Sequence, residues 1–229
     1  MNAIWDYRQL LWEGTLVTVQ LALFSLVIAV LLGLVGAAAK LSGRTIPNAL
    51  ANGYTTLIRG VPELVLMMIL FYGGQVLLNE LGEATGWWNY LEINQFTAGV
   101  FTIGFVFGAY MTETFRGAIL AIPRGQIEAG IACGMTPFKR FTRIIWPQMV
   151  GHALPGFTNN WLVLIKATAL VSIIGLHDLV WNASTAGRSV REPFTFFFAV
   201  LMIFLLLTAI SEVGLRWLDR RYSVAPRES

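Results

Sequence analysis

Apolar residues in this chain come in long runs separated by short polar stretches, the opposite of the alternation that marks a half-buried strand. Leu16 to Ala39 is 24 residues without a charge, enough to cross a hydrocarbon core of about 30 Å with some tilt. Four further apolar segments follow, roughly Pro62–Leu78, Phe96–Ala121, Leu154–Leu176 and Phe194–Ser211, some with internal charges. The pattern predicts an all-α integral membrane protein of about five transmembrane helices, with residues 1–229 forming a single membrane domain. The first run is too long for the apolar part of a cleaved signal, about 7–15 residues, and lacks a strongly basic start, so it reads as a retained span.

Composition agrees, with 56% apolar residues, 13% charged and a mean hydropathy of +0.65. Such a chain cannot present an ordinary soluble surface. The net charge of +3 points to nucleic acid only until positions are plotted, because the basic residues flank the spans. Of 16 Lys and Arg, ten (Lys40, Arg44, Arg124, Lys139, Arg140, Arg143, Arg216, Arg220, Arg221, Arg227) fall on one side of the five-span map. Arg8, Arg188 and Arg191 fall on the other, and Arg59, Arg116 and Lys166 lie in or beside spans. The positive-inside rule then puts the N-terminus outside, and the C-terminus and the Pro123–Pro147 loop in the cytoplasm. Trp12, Trp87, Trp88, Trp146, Trp181 and Trp217 lie near predicted span ends, where interfacial aromatics belong. The lone Cys133 excludes an intrachain disulfide and reads as a small packing residue.

Between the third and fourth spans, residues 123–148 form a polar, basic island. Gly134 can take the left-handed conformation that ends a helix, and Pro137 stands where a second could start. Phe138 and Phe141 share one face of that second helix, ringed by Lys139, Arg140 and Arg143. Two readings fit: a knob that docks on another protein, or an amphipathic helix lying on anionic lipid.

Arg59, Glu63, Glu113, Arg116 and Lys166 lie where the membrane should be, and charges there usually line a protein-enclosed or watery path. Glu113 and Arg116 can neutralise each other at a spacing of three, and Arg59 and Glu63 at a spacing of four if that segment is helical. Gly60 and Pro62 favour a broken helix there, and broken helices near the midplane build substrate sites in transporters. Lys166 shares a face with Asn159, seven residues away, while Thr168 points elsewhere; snorkelling to an interface is the alternative for Lys166. These residues, Arg59, Glu63, Glu113, Asn159, Lys166, Thr168 and Ser172, are the candidate substrate-binding set.

Four segments together resemble the permease subunits of polar amino-acid ABC importers, on the branch that imports histidine, arginine and opines. They are Tyr54-Thr-Thr-Leu-Ile-Arg-Gly-Val-Pro-Glu-Leu64, Ala109-Tyr-Met-Thr-Glu-Thr-Phe-Arg-Gly117, the island from Gln126 to Pro147, and Asn159-Asn-Trp-Leu-Val-Leu-Ile-Lys-Ala-Thr-Ala-Leu-Val-Ser172. The island matches the family's cytoplasmic docking loop: Glu128-Ala129-Gly130, three residues, Gly134, nine residues, then Ile144-x-x-Pro147. It departs from the motif at Gly130, where a second Ala is usual, and at Trp146, where an aliphatic residue is. The resemblance implies a five-helix type I importer core that works as a dimer with a homologous permease or a second copy. It also implies two ATP-binding subunits, a periplasmic substrate-binding protein and alternating access. ATPase docking would fall to Glu128, Ala129, Gly130, Gly134, Phe138, Lys139, Arg140 and Phe141. Relatives importing histidine or arginine carry an acid where Glu63 stands, so a basic amino acid is the expected cargo. No Gly-x-x-x-x-Gly-Lys-Ser/Thr loop occurs, which leaves ATP and Mg to a partner subunit and this chain without a cofactor.

Three rival classes remain, one of them a non-transporting scaffold or assembly subunit, which an absence of any effect of Glu63 changes on uptake would favour. A membrane-embedded enzyme needs a convergent nucleophile, base or metal set, and His152, His177, Cys133 and Asp178 do not supply one, nor does any HExxH occur. An ion-coupled secondary amino-acid transporter suits embedded acids, yet those folds usually have more spans in related halves.

Overall fold

The structure is a computed structural model and describes residues 2–222; Arg227 and the ends of the 1–229 domain lie outside the described residues. A short helix, α1 (Asn2–Asp6), leads into α2 (Arg8–Leu41), which at 34 residues is about 51 Å long. After a turn at Gly43 come α3 (Thr45–Gly60), α4 (Glu63–Met68) and α5 (Gly74–Thr85). The centre of the bundle is α6 (Gln95–Leu120), followed by α7 (Arg124–Ala132), α8 (Pro137–Arg140), α9 (Trp146–Ala167), α10 (Leu179–Ser189) and α11 (Pro193–Tyr222).

Four helical stretches, Arg8–Leu41, Glu63–Thr85, Pro137–Ile174 and Pro193–Tyr222, are long and apolar enough to cross a membrane. The fifth long helix, α6, has 26 residues, about 39 Å. Its charged pair, Glu113 and Arg116, lowers its apolarity, and it is the most enclosed of the helices, with buried residues from Ala98 to Ala118. All five expected spans are therefore helical.

The expected breaks are present, and two extend further than anticipated. Between α3 and α4 the chain is extended at Val61 (φ −116°, ψ 140°) and Pro62 (ψ 134°), because the residue before a proline is pushed out of the helical region. The segment before the break, whose helicity the sequence left open, is itself a helix, α3, which ends at Gly60. At the other end, the second docking helix is not separate: α8 passes through a wide π turn, Phe141–Ile145, straight into α9. Pro147 accounts for that turn. A proline within a helix lacks an N–H and crowds the carbonyl four residues back, and the widened turn lets the Trp146 N–H bond Phe141 O, five residues back.

Small residues let α2 and α6 approach closely. A Cβ at Gly36 would lie 2.2 Å from Thr112 Oγ1, one at Gly33 2.5 Å from Met111 Cβ, and one at Gly104 2.7 Å from Ile28. Between membrane helices, where water supplies no hydrophobic drive, such contact is the main source of adhesion.

Candidate functional site

A polar cavity of about 730 Å³ opens between the end of α2, the length of α3 and the later turns of α6. Along α3, Asn48, Asn52, Thr56 and Arg59 recur at helical spacing and form one wall; Tyr110, Glu113 and Arg116 form the other. Asn48 Nδ2 also donates to Lys40 O at 2.9 Å, closing the end of α2.

Glu113 in this cavity is fully engaged. Arg116 donates to Glu113 Oε2 through Nε at 3.0 Å and through a terminal nitrogen at 2.9 Å. Lys40 Nζ pairs with Oε1 and also donates to Thr55 Oγ1 at 2.6 Å. The Glu113–Arg116 pair expected from spacing is thus present, with a second cation from 73 residues away that spacing could not reveal. Arg59 differs. Its guanidinium sits 5.5 Å from the Tyr110 ring centroid and has no ion-pair partner among the described residues.

Glu63 begins α4 immediately after the break. It lines a narrow crevice with Met67, Thr102, Val106, Ala167 and Leu170, and it too lacks an ion-pair partner among the described residues. The Arg59–Glu63 pair that an unbroken helix would allow does not form. The extended backbone at Val61 and Pro62 interrupts the spacing on which it depends.

The other candidates are dispersed. Asn159 and Lys166 are both exposed on the outer face of α9, as their spacing predicted. Thr168 is buried and spends its hydroxyl on Ile165 O at 2.6 Å. Ser172 donates to Ala169 O at 2.8 Å and lines a separate cleft with Trp181 and Arg188. Residues that the sequence did not single out include Asn160, which donates to Thr114 Oγ1 at 3.0 Å, as well as Lys40, Asn48, Asn52 and Tyr110. The four-residue recurrence of Asn48, Asn52 and Thr56 ahead of Arg59 was the available signal.

The polar island is a formed helix–turn–helix. Gly134 has φ +70°, its N–H bonds Ile131 O at 2.9 Å, and the Met135 N–H reaches back to Gly130 O at 3.0 Å, closing the end of α7 in a Schellman turn. Thr136 caps α8 by accepting from the Lys139 N–H, with Pro137 in the first turn. Phe138 is 75% exposed and Ile131 and Phe141 are exposed beside it. Cys133 is exposed as well, not packed. Gly130 is buried, and a Cβ there would come within 2.7 Å of Ile144, so glycine draws α7 against the helix leading into α9. A hydrogen bond from Gln148 to Gln126 Oε1 at 2.6 Å adds to that seam. The exposed knob is therefore fastened to a long span.

At the far end of the bundle, Asp178 caps α10, accepting from the Trp181 N–H at 2.8 Å. It is fully buried and its second oxygen has no hydrogen-bond partner among the described residues. Burial pushes its carboxyl up to about 7, against the backbone bonds that favour the charged form. Asn182 donates to Leu10 O at 2.9 Å and Thr18 accepts from the Leu179 N–H at 3.2 Å, tying α10 to α2.

A bundle of apolar spans, with a broken helix flanked by charges that have no ion-pair partner among the described residues and an exposed helix–turn–helix knob, is the membrane subunit of a multi-component transporter. The chain belongs to the family described as binding-protein-dependent transport system inner membrane component, which it matches over residues 29–224. It is 48% identical, over 99% of both chains, to the histidine/lysine/arginine/ornithine transport system permease protein HisQ of Salmonella typhimurium. It is 37% identical to the arginine ABC transporter permease protein ArtQ of Haemophilus influenzae, covering 95% of this chain and 96% of that one. A solved amino acid ABC transporter with histidines superposes with a TM-score of 0.81 at 29% identity, covering 95% of this chain and 96% of its counterpart. The fold is that of a type I ABC importer permease, and the chain is a transport subunit of the inner membrane.

Proposed function

We propose that this chain is one half of the translocation path of an importer for basic amino acids: histidine, arginine, lysine, ornithine or an opine. The observation that carries this reading is the pair of charges flanking the break, Arg59 in the polar cavity and Glu63 in the crevice, neither with an ion-pair partner among the described residues. An amino acid with a cationic side chain is complementary to both. Its carboxylate suits the Arg59 guanidinium and its side chain suits the Glu63 carboxylate. The substrates named for the relatives from Salmonella and Haemophilus are of this class. Glu113 contributes through its ion triad as a wall of the cavity, and Thr168 and Ser172 shape the backbone where α9 tightens into a 3₁₀ turn. Asn159 and Lys166, exposed on α9, face a homologous permease or a second copy across the path.

Residues 123–148 form the coupling element of a single transmembrane domain. Phe138 and Phe141 enter a cleft of an ATP-binding subunit, with Glu128, Ala129, Lys139 and Arg140 around them and Gly130 and Gly134 setting the shape. Two such subunits bind ATP and Mg, and a periplasmic binding protein delivers the cargo. The ten-to-three basic asymmetry supports an N-terminus in the periplasm and a C-terminus and knob in the cytoplasm. Alkaline phosphatase fused after Glu83 or Arg191 is then active and after Lys40 or Gln148 inactive; the reverse pattern refutes the orientation. In proteoliposomes holding the whole complex, unlabelled arginine, lysine and ornithine compete with labelled histidine while glutamine does not. Equal competition by glutamine refutes the basic cargo.

A further inference from the structure

Between α2, the stretch following Glu63 and α6 lies a groove of about 820 Å³ that the charged cavity does not include. Its walls are Ile28, Leu32, Leu70, Leu78, Phe101 and Phe105, and at one end the lining changes to Glu92, Asn94 and Thr97. Leu70 lies in the π turn Ile69–Gly73 that joins α4 to α5, and such widened turns commonly mark functional positions.

The mouth is built and its depth is marked. Asn79 Oδ1 accepts the Leu91 N–H at 2.8 Å and Gln75 Oε1 accepts the Ile93 N–H at 2.7 Å, so the strap carrying Glu92 is tied down to α5. Just before it stand Trp87 and Tyr90, 81% and 69% exposed, the residues that settle at the headgroup level of a bilayer. From Thr97 to Phe105 the groove follows α6 for eight residues, about 12 Å, most of the roughly 15 Å of hydrocarbon in one leaflet. An apolar channel that starts at headgroup depth and runs toward the midplane has the shape of an acyl chain. Glu92 is exposed at its mouth, beside the level of the lipid phosphates, and has no cation partner among the described residues.

We propose that the groove holds one acyl chain of a phospholipid with a primary-amine headgroup, its ammonium resting on the Glu92 carboxylate. An ethanolamine headgroup supplies both charge and N–H donors to that carboxylate; choline supplies charge alone, and glycerol no cation. In the orientation proposed above this is a lipid of the periplasmic leaflet. The inference needs only that α2, α5 and α6 sit in a bilayer, so it stands or falls separately from the identity of the cargo.

The test is native mass spectrometry of the complete transporter, taken from nanodiscs of phosphatidylethanolamine with phosphatidylglycerol, or phosphatidylcholine with phosphatidylglycerol, and stripped stepwise with detergent. The wild-type complex retains one ethanolamine lipid per copy of this chain after bulk lipid is gone, with a preference over the choline lipid of about fivefold, as a single exposed charge-assisted contact gives. Glu92→Gln retains a lipid without that preference. Leu78→Trp, which fills the groove, loses the retained lipid. A wild-type chain that strips as readily as Leu78→Trp overturns the proposal, as does an ethanolamine preference unchanged in Glu92→Gln, an exposed position where folding is not at stake. A Phe101→Cys variant that cross-links in membranes to another subunit puts protein in the groove and overturns it equally.

Discussion

Glu113 and Glu63 are carboxylates on two helical stretches of the same membrane bundle, and the fold treats them in opposite ways. Glu113 has both oxygens occupied, one by Lys40 and one by Arg116, within a cavity of its own charges. Glu63 stands at the first turn of α4 with mostly apolar neighbours and no cation partner among the described residues. A carboxylate removed from water has a large solvation loss that only a partner offsets. Glu113 has its partners within the chain, which makes it a structural residue. Glu63 has none there, which leaves room for one that arrives and departs.

The contrast breaks most visibly at Glu113. Glu113→Ala strands the Lys40 ammonium, whose side chain is only 8% exposed, and an orphaned buried charge costs about 3–5 kcal/mol. A much lower melting temperature in detergent, and poor recovery of folded protein, is the expected result. Unchanged stability there would show that the triad is not structural.

Asp178 sharpens the comparison as a third acid, buried with no cation partner among the described residues and pushed toward its neutral form instead. Its folded value of about 7 lies above its ordinary 3.8, so the native state binds the proton more tightly than the unfolded chain does. The resulting stability is fully present below about pH 4 and is lost as the pH rises through about 7, a swing on the order of 2–4 kcal/mol. Asp178→Asn keeps an oxygen for the Trp181 N–H without the charge. Melting temperature against pH therefore flattens in this variant and lies above wild type at pH 8; a slope as steep as wild type would show that Asp178 is not the group responsible.

The proposed coupling role of the knob is tested apart from all three acids. Gly134→Val forces a branched side chain into φ +70°, at a cost of about 1–2 kcal/mol, and tilts α8 with Phe138 out of line. Insertion into the membrane persists, while ATPase activity stimulated by the binding protein and uptake fall together. Full activity of both in the purified complex would remove the coupling role of the knob.

Much of this was legible in the sequence because it rests on local stereochemistry. Gly134 and Pro137 fixed the turn of the knob, Pro62 fixed the break, and the runs of apolar residues marked the spans. Glu113–Arg116 was visible because both lie on one helix. Lys40 was not, because a pair 73 residues apart depends on how α2 lies along α6, and that packing is set by Gly33, Gly36, Gly104 and Gly108, each of which faces a side chain of the opposite helix. The helix α3 was missed because Asn48, Asn52, Thr55 and Thr56 dilute its apolarity, although their spacing places a polar stripe along one wall of the cavity. The Arg59–Glu63 pair failed for a related reason: spacing in sequence predicts contact only while the helix continues.

Glu63→Gln is the smallest change in structure and the most informative one. It removes a half-buried charge that has no cation partner among the described residues, so stability does not fall and rises by on the order of 1 kcal/mol. The decisive measurement is initial uptake of arginine, and of a neutral amino acid where one is carried, by the complete complex in proteoliposomes with wild-type and Glu63→Gln chains. Losing a charge-assisted bond of about 1.5–3 kcal/mol lowers arginine affinity roughly ten- to a hundredfold and leaves neutral cargo nearly unaffected. An equal loss for both, or none for either, would contradict the assignment of Glu63 as the carboxylate that receives a cationic substrate.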